Sequence, residues 1–363
     1  MNFLKEKPSI VVQAQKAKFN PNIVVQFILF FVVFFVSQFA ASIVAILATY
    51  PQMMKDYVNK GIDSKDIKAV TEFTTQFYTS SNFLLVSLVC TLIATALVII
   101  YCRFIEKRSL YSMGFVSKKA VPDYLIGMVI GFVMFSVAIL ICVATGTLSY
   151  KGAAYSGSIG LIVSFFLGYL FQGMSEEVVC RGYFMTTVAS KKPLILAILA
   201  NSVLFGLMHL MNKGVSVLAI VNIVLVGIFL SVFMLKSDSI WGVCALHSIW
   251  NFTQGNFYGI KVSGIDSGAS VFKFVPTNGG TLLNGGEFGL EGGLAVTIVL
   301  VLGIAVTLLW KGKQSEMAGM VEETIQPYQP DQRYAEQIYT QQIPAEQIPD
   351  EQVTNEKNDT SEK

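Results

Sequence analysis

The sequence predicts an all-α, multi-pass transmembrane helical bundle of about eight spans, followed by a disordered acidic C-terminal tail. Three observations point there. Of the 363 residues, 53% are hydrophobic and only 14% are charged, against about a quarter charged in a soluble domain. Apolar stretches long enough for a membrane helix, about 20 residues, recur along the chain. Lysine and arginine collect in alternate connections between them, the asymmetry that sets membrane orientation. The net charge of +2 gives no signal for a nucleic-acid partner.

The first span, 23–50, follows a polar leader bearing Lys5, Lys7, Lys16 and Lys18. At about 28 residues it is too long for a signal-peptide core and reads as a membrane helix. Spans 81–102 and 124–147 flank Arg103, Lys107, Arg108, Lys118 and Lys119. The fourth, 159–183, contains charged residues and ends before Lys191 and Lys192. Spans 193–210 and 215–235 follow. The seventh, 240–254, is short and polar at its end. The eighth, 293–310, precedes Lys311 and Lys313. With eight spans these basic clusters share one side, while Lys151 and Lys213 stand alone in short loops opposite. The 51–80 connection has four lysines, but Asp56, Asp63, Asp66 and Glu72 accompany them. This predicts a cell-membrane protein with both termini in the cytoplasm.

Residues 255–292 are glycine-rich and predict a long outer loop. From 314 onward, eleven acidic residues face only Arg333, Lys357 and Lys363. Without a sustained apolar period that tail has no core to build and is expected to be disordered. Cys90, Cys102, Cys142, Cys180 and Cys244 lie in or beside apolar stretches with no CxxC pair. They read as buried packing residues, not as a disulfide framework or a zinc cluster.

Charges within a membrane span need a partner or a task. In Ser175-Glu176-Glu177-Val178-Val179-Cys180-Arg181, Glu177 and Arg181 are four apart and can pair on one helical face. Glu176 lies about 140° around the helix from Arg181 and is free to face a polar cavity. The same three charges would also serve as a structural ion-pair cluster. Phe205 and His209 share a face at the end of the fifth span, and His247 and Asn251 share one in the seventh. Taken singly, each pair also fits interhelical hydrogen bonding. Jointly they say more, because the chain has only two histidines and both fall in spans. A general base, a water-orienting imidazole and two polar groups suited to an oxyanion are together what peptide hydrolysis requires.

These three spacings, EExxxR (Glu176, Glu177, Arg181), FxxxH (Phe205, His209) and HxxxN (His247, Asn251), resemble the motifs of the CPBP family in order and in placement on successive spans. That family includes the type II CAAX prenyl endopeptidases and bacterial bacteriocin-processing and self-immunity membrane proteins. The resemblance extends over about residues 105–255, including Ser109-Leu110, Met113-Gly114-Phe115 and Arg181-Gly182. It implies a protease core over 105–255. The spans and composition around that core divide the rest into 1–104, a leader and two helices, 256–313, the glycine-rich outer loop and last helix, and 314–363, a disordered cytoplasmic tail, none of which the family motifs explain.

The resemblance further implies that Glu176 activates water with help from His209, and that His247 and Asn251 stabilise the oxyanion. Glu177, Arg181 and Phe205 would support them. The substrate would be a membrane-associated or lipid-modified peptide reached from the bilayer. Glu176, His209 and His247 also form a reasonable set for a divalent metal such as zinc, although HExxH is absent. Two other readings stay open at this point: a non-proteolytic scaffold or bacteriocin self-immunity protein, and a transporter with a polar core. The motifs encode neither the peptide cut nor the oligomeric state.

Overall fold

Helix starts are written locally by short polar side chains that accept otherwise unpaired backbone N–H groups. Asn22 caps α2 (Ile23–Asn59) through Val25 N. Asp66 caps α3 (Ile67–Tyr78) through Lys68 and Ala69 N. Ser80 caps α4 (Ser81–Ile100), and Ser216 caps α9 (Val217–Ser237). A short α1 (Ser9–Ala14) precedes them. The computed structural model describes residues 4, 6–153, 159–277 and 280–312; the predicted acidic tail lies outside them.

The remaining helices are α5 (Ala120–Ala144), α6 (Ile159–Glu177), α7 (Thr186–Lys191), α8 (Leu194–Leu207), α10 (Trp241–Phe252), α11 (Thr281–Asn284) and α12 (Leu294–Leu309). Between α6 and α7 the backbone widens into a π-type turn over Val178–Met185, buried throughout. Such turns are frequent at functional sites. Lys192 before Pro193 adopts an extended conformation, as a residue preceding proline prefers. That separates α7 from α8.

Two features correct the sequence expectation. The bundle is not purely α: β1 (Leu148–Ala153) and β2 (Phe272–Pro276) pair antiparallel, with Leu148 opposite Pro276 and Tyr150 opposite Phe274. The alternating side chains of Leu148-Ser-Tyr and Phe272-Lys-Phe suit a half-buried ribbon. In addition, helices occupy all eight expected spans, but only five are long and apolar enough to cross a bilayer: 23–59, 81–105, 120–144, 159–191 and 217–237. Helices α8, α10 and α12 have 14, 12 and 16 residues. At 1.5 Å per residue none alone reaches the roughly 30 Å hydrocarbon thickness. Flanking turns, which hydropathy cannot distinguish from helix, had lengthened them in the sequence reading.

Contacts at the two ends show how these elements alternate. At one end Ile10 N donates to Asp238 at 3.0 Å, Ser9 bonds Tyr111, Lys7 Nζ reaches Ser190 O, and Lys236 Nζ reaches Leu308 O. At the other, Thr277 N meets Thr147 O, Asn212 meets Ser263 O, and Ser81 meets Ser267 O. Helices α2, α4, α5, α6, α8, α9, α10 and α12 therefore run back and forth between two faces.

Helix α10 is central. A Cβ on Gly127 would stand 2.1 Å from the Gly242 carbonyl, and one on Gly131 2.5 Å from that of Leu246. A Cβ on Gly173 would stand 2.7 Å from Ser248 N. Small residues let membrane helices approach this closely, so α10 is gripped between α5 and α6. The outer faces remain apolar and exposed, as at Phe39, Val129 and Leu302, where lipid takes the place of a protein partner.

Candidate active site

The grip of α5 and α6 on α10 determines which polar groups meet. Glu177, fully buried, bridges two motifs. Its Oε1 accepts from Arg181 Nη1 at 2.9 Å and from His247 Nδ1 at 2.7 Å. The pairing of Glu177 with Arg181 is the one its four-residue spacing allows on α6, and the chain placed on α10 supplies the third member. A carboxylate only accepts, so His247 carries a proton on Nδ1 and turns Nε2 toward the cavity. Glu176 diverges from this cluster and is about 30% exposed, with Oε2 3.7 Å from His247 Nε2.

Arg181 is fully buried, and its Nε and Nη2 have no hydrogen-bond partner among the described residues. Its guanidinium lies 4.4 Å from the centre of the Phe205 ring, a cation–π contact that offsets part of the missing solvation. The same ring meets His209 edge-on at 4.9 Å and His247 at 6.1 Å. Phe205 therefore spaces the two imidazoles and the guanidinium. His209 Nδ1 lies 2.8 Å from the Phe205 carbonyl. A carbonyl can only accept, so His209 carries a proton on Nδ1, and in the neutral tautomer its Nε2 is the acceptor.

Glu176, His209, His247, Asn251 and Phe205 line one cavity of about 360 Å³, closed elsewhere largely by apolar side chains. Phe34 of α2 and Leu88 of α4 contribute to the walls. So does the glycine-rich outer segment, through Val262, Ser263 and Glu291. Glu291 accepts from Ser263 N at 2.9 Å, Ser263 Oγ at 2.7 Å and Trp250 Nε1 at 3.2 Å. That ties the outer segment to the residue preceding Asn251. The segment turns sharply where only glycine fits: at Gly289 φ is +101°, and a Cβ would sit 2.0 Å from the Lys261 carbonyl. The residues expected to form a loose loop thus build a wall of the cavity.

Sequence reasoning missed Gln172 and Glu291. Gln172 is four residues before Glu176, and its amide bonds both Glu176 and Asn251. A polar side chain at helical spacing inside a span was the signal available for it. Glu291 had none, because its partners are distant in sequence.

The three side chains read from the sequence as a set for a divalent metal, Glu176, His209 and His247, line the same cavity. Among the described residues no group of three His, Cys, Asp or Glu side chains is placed to hold a metal ion. His247 gives Nδ1 to Glu177, and its Nε2 stands 3.7 Å from Glu176 Oε2.

No curated protein and no solved structure matches the chain. Residues 158–253 match the family model described as type II CAAX prenyl endopeptidase Rce1-like. All seven motif residues fall inside that stretch, whereas 105–157, which the sequence resemblance had included, lies outside it. With five helices among the described residues long and apolar enough to cross a bilayer, the chain is a multi-pass membrane protein whose residues 158–253 are similar to the type II CAAX prenyl endopeptidase Rce1-like family.

Proposed function

We propose that the protein is an intramembrane endopeptidase that hydrolyses a peptide bond in a membrane-associated or lipid-modified peptide. The observation that carries this reading is the convergence of Glu176 from α6, His209 from the turn after α8, and His247 and Asn251 from α10 on one largely apolar cavity. Glu176 is the general base, partly exposed where the other acid is sealed. His209, with Nδ1–H fixed on the Phe205 carbonyl, uses its free Nε2 to hold the attacking water. The tetrahedral oxyanion is met by Asn251 Nδ2–H and by His247 in its imidazolium form, which donates from Nε2 while Nδ1–H stays on Glu177.

Charge balance supports that form. Glu176 and Glu177 carry two negative charges against one on Arg181, and a protonated His247 brings the cluster to neutrality. Glu177 is then an orienting residue, much as a buried acid orients the histidine of a hydrolytic triad. Collapse of the intermediate breaks the C–N bond, and Glu176 returns its acquired proton to the leaving amine. No step is routed through a metal. The lysine-bearing end, where Lys7, Lys191 and Lys311 gather, faces the cytoplasm.

A comparison of membranes containing the intact protein with membranes containing Glu176→Ala tests this reading. A peptide cut only with the intact protein is expected. Identical peptide profiles at equal protein levels would favour the scaffold reading.

A further inference from the structure

Glu176 and Asn251 stand on different helices, and a single side chain joins them. Gln172 precedes Glu176 by one turn of α6 and lines the same cavity. Its amide N–H donates to Glu176 Oε1, and its carbonyl oxygen accepts from Asn251 Nδ2 at 2.9 Å. An ionised carboxylate can only accept, so the nitrogen of Gln172 must face Glu176. Its oxygen must then face Asn251, and Asn251 must present its amino group. Asn251 is 5% exposed, and this is the one hydrogen bond its side chain makes among the described residues. A half-turn of either amide would break the chain of donors. It would also leave the Asn251 carbonyl oxygen, a repulsive group, pointing where the oxyanion forms.

We propose that Gln172 is a positioning residue, which fixes the orientation of the Asn251 amide and ties it to the base Glu176. One Asn251 N–H is occupied by Gln172 and the other is left for the oxyanion. The proposal rests on the hydrolytic reading above. Nothing else duplicates the link: the other oxygen of Glu176 lies 3.7 Å from His247, beyond a hydrogen bond. Gly173, the next residue, keeps the link short by letting Ser248 of α10 come against α6.

The test uses the full chain in nanodiscs and a quenched fluorogenic peptide ending in a farnesylated CAAX sequence. Gln172→Met keeps the length and removes both hydrogen bonds. Gln172→Glu keeps the acceptor for Asn251 but sets a second carboxylate against Glu176. Both are expected to lower kcat about ten- to a hundredfold with KM within about twofold, the scale of a misplaced catalytic group. In the Asn251→Ala background most of the loss from Gln172→Met should disappear.

A second readout needs no turnover: thermal unfolding followed by labelling of the buried thiols Cys102, Cys180 and Cys244. Gln172→Met and Asn251→Ala together should lower Tm no further than the worse of the two alone. Multiplicative kinetic losses with additive Tm shifts would overturn the proposal, as would unchanged kcat in both Gln172 variants. Glu176→Gln, run alongside, separates the failures. If it cleaves like the intact protein, the hydrolytic reading falls, while the thermal cycle still decides whether Gln172 joins the two side chains. The same cycle decides it if the peptide is not cut.

Discussion

Replacing Gly173 by alanine adds one carbon at the tightest point between α6 and α10. That Cβ would lie 2.4 Å from Ser248 Oγ, 2.7 Å from Ser248 N and 2.8 Å from Ser248 Cα. The hydroxyl could rotate away, but the backbone atoms cannot. Restoring ordinary contact at about 3.4 Å requires the helices to part by about 0.7 Å, in a core whose overpacking typically costs about 1–3 kcal/mol. His247 and Asn251 flank Ser248 on the moving helix, while Glu177 and Gln172 stay on the other. Both interhelical links, 2.7 Å and 2.9 Å long, would stretch past good hydrogen-bond geometry. The expected result is a Tm lowered by several degrees and a peptidase kcat lowered about a hundredfold, since displacements near 1 Å have that effect. Thermal unfolding in detergent and turnover in nanodiscs measure the two. Adding Ser248→Gly should restore little, because the clashes with N and Cα persist. Wild-type kcat in Gly173→Ala, or full rescue by Ser248→Gly, would refute the claim that this contact sets the site.

Three further outcomes are expected. Glu177→Gln leaves Arg181 without its counter-ion in a fully buried site, which should destabilise the fold by about 3–5 kcal/mol and abolish turnover; chemical denaturation and the peptide assay measure both. Glu291→Ala strands Ser263 N–H and Trp250 Nε1–H, at about 1–3 kcal/mol, and should raise proteolytic nicking within 258–293 before the helices unfold. At the opposite end, burial raises the Asp238 carboxyl above its ordinary 3.8, against the lowering effect of the Ser9 and Ile10 hydrogen bonds. A raised acid binds its proton more tightly in the folded state, so this stabilisation is complete below about pH 3.8 and is lost as pH rises through the folded value. Asp238→Asn, which still accepts from Ile10 N, should flatten that part of the Tm–pH curve; an unchanged curve would contradict the assignment.

The sequence was most informative where a local rule operates. Helical spacing placed Glu177 with Arg181 and sent Glu176 elsewhere, and the scarcity of histidine drew His209 and His247 into one hypothesis. It was least informative where partners come together across the chain. The close approach that permits the site depends on Gly127, Gly131 and Gly173, whose meaning appears only against the backbone of α10. The short ribbon of β1 and β2 joins segments more than a hundred residues apart, and each strand is too short for its alternation to stand out in the sequence. Hydropathy overstated the number of full-length spans because it registers apolar turns as readily as helix. It also gave the glycine-rich segment no shape, although Glu291 and the left-handed turn at Gly289 fold it against the cavity.

The central claim is that Glu176 activates the water that cuts the peptide. Purified intact protein and Glu176→Gln, reconstituted at equal amounts and equal Tm, should be compared on the farnesylated fluorogenic peptide in ¹⁸O-labelled water. The intact protein is expected to release a new carboxylate carrying one labelled oxygen, and Glu176→Gln to do so about 10²–10⁴-fold more slowly, the usual contribution of a general base. Release of labelled product at the intact rate by Glu176→Gln would contradict the account.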